Sequence, residues 1–309
     1  MLTEDFANHP LEASINTTEI VDINVGCSGL HCQSPTVDEN QPDGVEMTDY
    51  VLQSLEHGLL TITLNFPERR NALNLDVTVP LLEAAQRAST DPEVRAVLLK
   101  GAGGTFCVGG DVREQADPSI ALRTFEMNLS VLQGKIETAR VLHTMTKPTV
   151  AAVEGAAAGA GLSLALACDL RIVGETAKIT TAFAKIALPG DFGGMYFLTK
   201  MLGSAKCREL YLMSPVLSGK EAHAMGMMTR VVPDSDVAAV AYELAMSLAQ
   251  GPTVALGYMK KNINNAETCS LEACLDGEAL HHCRCLQTTD HKEAAVAFLQ
   301  KRAPAFVGS

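Results

Sequence analysis

Residues 147–194 read KPTVAAVEGAAAGAGLSLALACDLRIVGETAKITTAFAKIALPGDFGG. The apolar run Thr149 to Val153 has the length and composition of a buried strand. It enters a turn of very small residues, Gly155 to Gly161, and then an apolar helix from Leu162 to Cys168. Side chains this small let a ligand approach the backbone closely. Such a turn can aim N–H groups at a ligand oxygen from a helix N-terminus. A second Gly-rich turn, Phe106-Cys107-Val108-Gly109-Gly110-Asp111, offers the same from another part of the chain. Two donors meeting at one oxygen would form an oxyanion hole, which stabilises an enolate or a tetrahedral adduct.

Outward from this stretch the chain alternates strand and helix patterns. Tyr50 to Leu55 and Leu59 to Phe66 read as strands joined at His57-Gly58. Leu75 to Ser89 has helical spacing, and Ala96 to Gly101 reads as a short buried strand. A long helical region covers Ile120 to Thr144, and Pro148 ends it. Leu170 to Val173, Lys178 to Thr181 and Met228 to Val232 read as further strands, with helices over Phe192 to Leu202, Ala205 to Met213 and Gly219 to Met225. From Asp236 to Arg302 the pattern is helical throughout, with breaks near Gly251-Pro252 and Asn262–Ser270. The expected class is therefore α/β, with an all-helical C-terminal region.

Composition narrows the setting. The 309 residues are 47% hydrophobic, enough for a large core. The net charge of −12 is uneven: residues 1–46 carry nine acids and no Lys or Arg, leaving −3 for the remainder. Residues 1–46 are expected to be an acidic, disordered extension, 47–235 the α/β core and 236–309 a helical region. A nearly balanced body argues against nucleic-acid binding, which favours a basic stripe. No uninterrupted apolar run of about 18 residues occurs, so no membrane partner is expected. The Met1 end lacks a basic and apolar leader, and the nine cysteines show no framework spacing. Both features point to a cytoplasmic chain with reduced thiols. His281-His282-Cys283-Arg284-Cys285 lacks a second ligand pair and reads as a helix surface, so no metal is expected.

Several short motifs, in order, are similar to those of the crotonase family, the enoyl-CoA hydratase and isomerase superfamily. They are Pro67 to Asn74 (PERRNALN), Phe106 to Asp111 (FCVGGD), Ala151 to Asp169, Leu188 to Gly194 (LPGDFGG), Ala222 to Val232, and Ala297 to Phe306. The resemblance implies a spiral of ββα turns, a homotrimer or dimer of trimers built through the C-terminal helices, and an acyl-CoA thioester substrate. Coenzyme A is then part of the substrate, and no separate cofactor is expected. The resemblance also implies site roles. The backbone N–H groups of Gly110 and Ala160 would be the oxyanion donors. Arg70 and Ala72, in the Pro67 loop, would meet coenzyme A, as would Lys260, and Val108 would lie at the substrate.

Reaction type then depends on nearby acids and bases. Hydratases of the family use two Glu residues. The resemblance puts the first of these positions at Ser163 and the second near Phe183, and both are expected to contact the substrate. No carboxylate occurs between Thr180 and Leu188, so that pair is missing. Asp191 is an acid at a position matching the acid/base Asp of double-bond isomerases in the family. One carboxylate can take a proton from one carbon and return it to another, which moves a C=C bond without adding water. Asp191 could instead cap the helix that follows. Asp111 reads as a helix cap, and Glu114 or Glu126 could supply a second acid. The leading expectation is an enoyl-CoA isomerase. The alternatives are a hydratase or other lyase using unrecognised acids, and a catalytically silent CoA-binding protein.

Overall fold

A computed structural model describes residues 49–118 and 122–309. The expected extension, residues 1–46, lies outside the described residues.

Two strands, β1 (Val51–Glu56) and β2 (Leu59–Leu64), form an antiparallel hairpin across His57-Gly58. Each following turn of the chain adds a parallel strand: β3 (Ala96–Gly101), β4 (Thr149–Val153), β6 (Leu170–Gly174) and β8 (Arg230–Val232). The order among the described residues is β1-β2-β3-β4-β6-β8. Between these lie α1 (Leu75–Thr90), α2 (Val112–Gln115), α3 (Phe125–Thr144) and α4 (Ala160–Ala167). After each central strand the chain makes one more short pairing. Leu73 bridges Gly110, Cys107 bridges Ala157, and β5 (Ala156–Ala158) runs parallel to β7 (Lys178–Thr180). The outcome is a spiral of ββα turns. The all-Ala segment 156–158, expected as part of a turn, is a strand. Its methyl groups let it lie between Cys107 and Ile179 with both backbone edges paired.

Side-chain alternation assigns the two faces of the main sheet. Val97, Leu99, Ala151, Val153 and Val173 point into a core shared with α1, α3 and α4. Ala96, Leu98, Val150, Ala152 and Ile172 point the other way, onto α7 (Val237–Ala249). On that helix Val237, Ala241, Ala245 and Ala249 recur every four residues, a stripe of small side chains that fits against the strands. The helical region is thus part of the same packing: Thr48–Ser309 form one compact unit.

The helices α5 (Gly194–Met213), kinked at Gly203, and α6 (Gly219–Ala224) complete the core. Ser218 and Glu221 close a capping box on α6. Helices α8 (Thr253–Ala266), α9 (Leu271–Cys285) and α10 (Thr289–Gln300) follow α7. Arg95 ties the chain end back to the sheet by donating to the carbonyls of Gly251 and Phe306 and to the Thr253 hydroxyl. No helix among the described residues is long and apolar enough to cross a membrane.

Candidate active site

The loop 66–72 organises one side of the site. Asn71 is buried, and its side-chain oxygen accepts from Phe66 N at 2.8 Å. Its amide donates to the carbonyls of Ala102 (3.0 Å) and Thr105 (2.6 Å). These bonds fix the loop against the segment leading to Gly109-Gly110. Val108 N donates to Arg70 O at 3.2 Å, so Arg70, Ala72 and Val108 share one edge with Gly110. The Arg70 side chain is exposed, and Ala72 is buried.

Parallel pairing decides which amides are left over. Leu73 N donates to Gly109 O, and Asp111 N donates to Leu73 O. In that pattern the N–H of the intervening Gly110 points away from the ladder. Gly110 N has no partner among the described residues. Ala160 N is the first amide of α4, where helix geometry supplies no acceptor, and it too is unpartnered. Both residues line one cavity of about 160 Å³, together with Leu73, Glu114, Val131, Leu132, Lys135 and Phe192. Gly161 lets the two turns nest, because a Cβ there would fall 2.3 Å from Cys107 O.

Asp191 precedes the cavity wall residue Phe192, in a loop where Gly190, Phe192 and Gly193 all have positive φ. Helix α5 begins after Gly193 and takes no side-chain cap, so the Asp191 carboxyl does not serve that role. Its Oδ1 is buried without a hydrogen-bond partner among the described residues. Burial pushes the Asp191 carboxyl up to about 6, partly countered by the positive charge of Lys135. The Cys107 thiol, pushed up to about 12 by burial, also feels the Asp191 charge.

Other expected residues fall elsewhere. Ser163 is fully buried, and its hydroxyl donates to Gly159 O at 3.2 Å. It lies under Gly194 with the Tyr211 hydroxyl, away from the cavity walls. Phe183 is buried, stacks on Tyr211 at 5.9 Å and supports Gly159 from below. Lys260 is not brought to this site. It is 7% exposed, and its ammonium bonds Asp169 Oδ2 (2.9 Å), Leu142 O (2.8 Å) and Lys147 O (3.2 Å). Asp169 in turn accepts from Thr149 N and Thr149 Oγ1, so Lys260 is the core of an internal joint. Asp111 caps α2 by accepting from Arg113 N and pairs with Arg69 at 2.9 Å. Glu126 is exposed, whereas Glu114 reaches the cavity.

Several polar groups here were not anticipated. Lys135 pairs with Glu114 at 3.2 Å. Arg69, Arg113 and Arg123 line an adjoining polar cavity of about 530 Å³. On the far side of Phe192 is a third cavity of about 440 Å³, walled by Ile136, Ala139, His143, Tyr196 and Phe197. Helical spacing places Asn128, Val131, Leu132 and Lys135 on one face of α3, but only packing shows which face turns inward.

The ββα spiral with its helical C-terminal region is the fold of the crotonase class. Residues 54–309 match the family described as enoyl-CoA hydratase/isomerase, and the chain belongs to that family. It is 38% identical over 263 residues to a 1,2-epoxyphenylacetyl-CoA isomerase from Escherichia coli (strain K12), covering 85% of this chain and 100% of the relative. Among solved structures, an enoyl-CoA hydratase from Polaromonas sp. JS666 superposes with a TM-score of 0.78 at 32% identity, over 83% of this chain and 99% of that one. An enoyl-CoA hydratase from Bacillus anthracis gives a TM-score of 0.79 at 27% identity, over 84% and 100%.

Proposed function

We propose that this enzyme isomerises an enoyl-CoA by a 1,3-proton shift. The thioester carbonyl oxygen accepts from the N–H groups of Gly110 and Ala160. The Asp191 carboxylate removes a proton from Cα of a 3-enoyl thioester, and the electron pair moves into the carbonyl to give a dienolate. The protonated Asp191 then returns the proton to Cγ, which leaves the double bond conjugated. No water is consumed, in keeping with the Ser and Phe at positions 163 and 183. The observation that carries this reading is the one cavity lined by the two unpartnered amides and by Phe192, which directly follows Asp191, a residue with a buried, unpartnered carboxyl oxygen. Donors fixed in advance stabilise charge where it develops, without reorganisation.

The aromatic cavity behind Phe192 supports an acyl group that carries a ring, and the relative acting on an epoxyphenylacetyl thioester supports the same class. Arg69, Arg113 and Arg123 in the polar cavity suit the phosphates of coenzyme A. Exposed apolar residues on the last helices, Leu271, Leu275, Phe298 and Leu299, support assembly into a trimer or dimer of trimers. Free cysteines at 107, 168, 207, 269, 274, 283 and 285 fit a reducing cytoplasm.

The test is turnover of a 3-enoyl-CoA in deuterated, ¹⁸O-labelled water. Conjugation with no ¹⁸O in the product supports isomerisation, and Cγ keeps substrate hydrogen to the extent that Asp191 returns the proton before it exchanges with solvent. Incorporation of ¹⁸O assigns hydration instead.

A further inference from the structure

We propose that Tyr211 is a positioning residue for this reaction: its ring is the seat on which the Asp191 loop rests, and it sets the place of the carboxyl relative to the amide of Ala160. The inference rests on the enolate reading above. Asp191 needs such a seat. Its buried Oδ1 has no hydrogen-bond partner among the described residues, so no bond at that oxygen fixes the side chain. A reacting group is only as well placed as the atoms that support it, and here those are the backbone. That backbone is a tight loop, closed by Gly194 N donating to Asp191 O at 3.2 Å. Tyr211, itself buried on α5, lies under both ends of the loop. A Cβ on Gly190 would fall 3.0 Å from Tyr211 Cε1. A Cβ on Gly194 would fall 2.4 Å from the Tyr211 hydroxyl and 2.3 Å from Ser163 Oγ. Only glycine lets the chain sit this low on the ring.

The same phenol is packed against the supports of the oxyanion donor. The rings of Tyr211 and Phe183 stack with centroids 5.9 Å apart and an interplanar angle of 4°. Phe183 in turn reaches Gly159, where a Cβ would lie 3.7 Å from Phe183 Cζ. Ser163 Oγ, which sits beside the Tyr211 hydroxyl at Gly194, donates to Gly159 O at 3.2 Å. Gly159 directly precedes Ala160, whose amide is the donor. Tyr211 therefore touches the loop of the base on one edge and, through Phe183 and Ser163, braces the turn of the donor. Buried side chains pack at crystal-like density and yield little, so the width of this ring fixes how far base and donor stand apart.

The experiment measures kcat and KM of the full chain for a 3-enoyl-CoA, and counts competent sites by calorimetric titration with saturated butanoyl-CoA. In Tyr211→Leu, kcat per titrated site should fall about a hundredfold, the loss that follows a displacement of about 1 Å, with KM changed less than about threefold. Tyr211→Phe keeps the ring under Gly190 and on Phe183, and should recover the rate to within about fivefold of wild type. A purely structural role would lower Tm and the number of competent sites but leave kcat per site unchanged. A kcat per site within about threefold of wild type in Tyr211→Leu overturns the proposal. If that variant does not fold, Gly194→Ala decides. Its methyl must lift the loop off the two hydroxyls, so kcat per site should fall, and Ser163→Ala with Tyr211→Phe in the same chain should restore it. An unchanged kcat in Gly194→Ala, or a fall that the added substitutions leave uncorrected, overturns the proposal equally. Turnover that persists in Asp191→Asn would instead bring down the enolate reading on which it rests.

Discussion

Gly109 and Ala160 meet backbone to backbone: a methyl group on Gly109 would lie 3.2 Å from Ala160 N and 2.7 Å from Ala158 O. Gly109 also holds φ at +91°, where side chains are strained. Gly109→Ala must push the two turns apart and misalign at least one amide donor. Loss of one such donor costs on the order of 10²–10³ in kcat. The expected result is a fall of that size with a folded protein of lower Tm, read by turnover and by thermal melting.

Asp191→Asn separates chemistry from stability. Activity should fall by on the order of 10²–10⁴, since general base catalysis is removed. Stability should rise at neutral pH. A carboxyl raised from 3.8 to about 6 in the folded state destabilises the fold above the higher value, and this effect vanishes below the lower one. The variant should therefore gain up to about 3 kcal/mol at pH 7.5 and almost nothing at pH 3.5. Denaturant titration at the two pH values checks it, and an equal gain at both would refute the linkage.

The wild-type pH profile follows from the same group. Asp191 accepts a proton only when ionised, so kcat/KM should fall tenfold per pH unit below about pH 6. A profile flat down to pH 5 would exclude Asp191 as the base.

Ala139 lines the aromatic cavity at the base of α3. Ala139→Leu should fill part of it. The ratio of kcat/KM for a ring-bearing thioester over a four-carbon thioester should drop about tenfold, a loss typical of a blocked apolar contact. An unchanged ratio would mean that the acyl group does not pass Phe192.

Asn71 makes three side-chain hydrogen bonds while buried, and it links the loop at 66–72 to the segment at 102–105. Asn71→Ala leaves a backbone amide and two carbonyls unsatisfied, and φ at +57° also disfavours Ala. A loss of about 3 kcal/mol is expected by denaturant titration, with reduced activity because the Gly110 turn loses its support.

Much of this enzyme was readable residue by residue. The hairpin at His57-Gly58, the strand at Ala96–Gly101 and the cap at Asp111 follow from local rules that tertiary contacts did not override. Lys260 was not readable. Its sequence position resembles that of a coenzyme A contact, but Asp169, 91 residues earlier, draws its ammonium inward. Lys135 gave no signal either, because a lysine on an amphipathic helix usually faces solvent.

What the sequence determined by itself is the set of parts: small residues at two turns, strands alternating with helices before a helical end, and an acid at position 191. Those features are short-range, since periodicity and backbone sterics act within a few residues. The tertiary structure decided which amides were left unpaired and which charges were stripped of water. Both depend on segments far apart in the chain, because hydrogen-bond partners and burial are properties of packing and not of any one stretch.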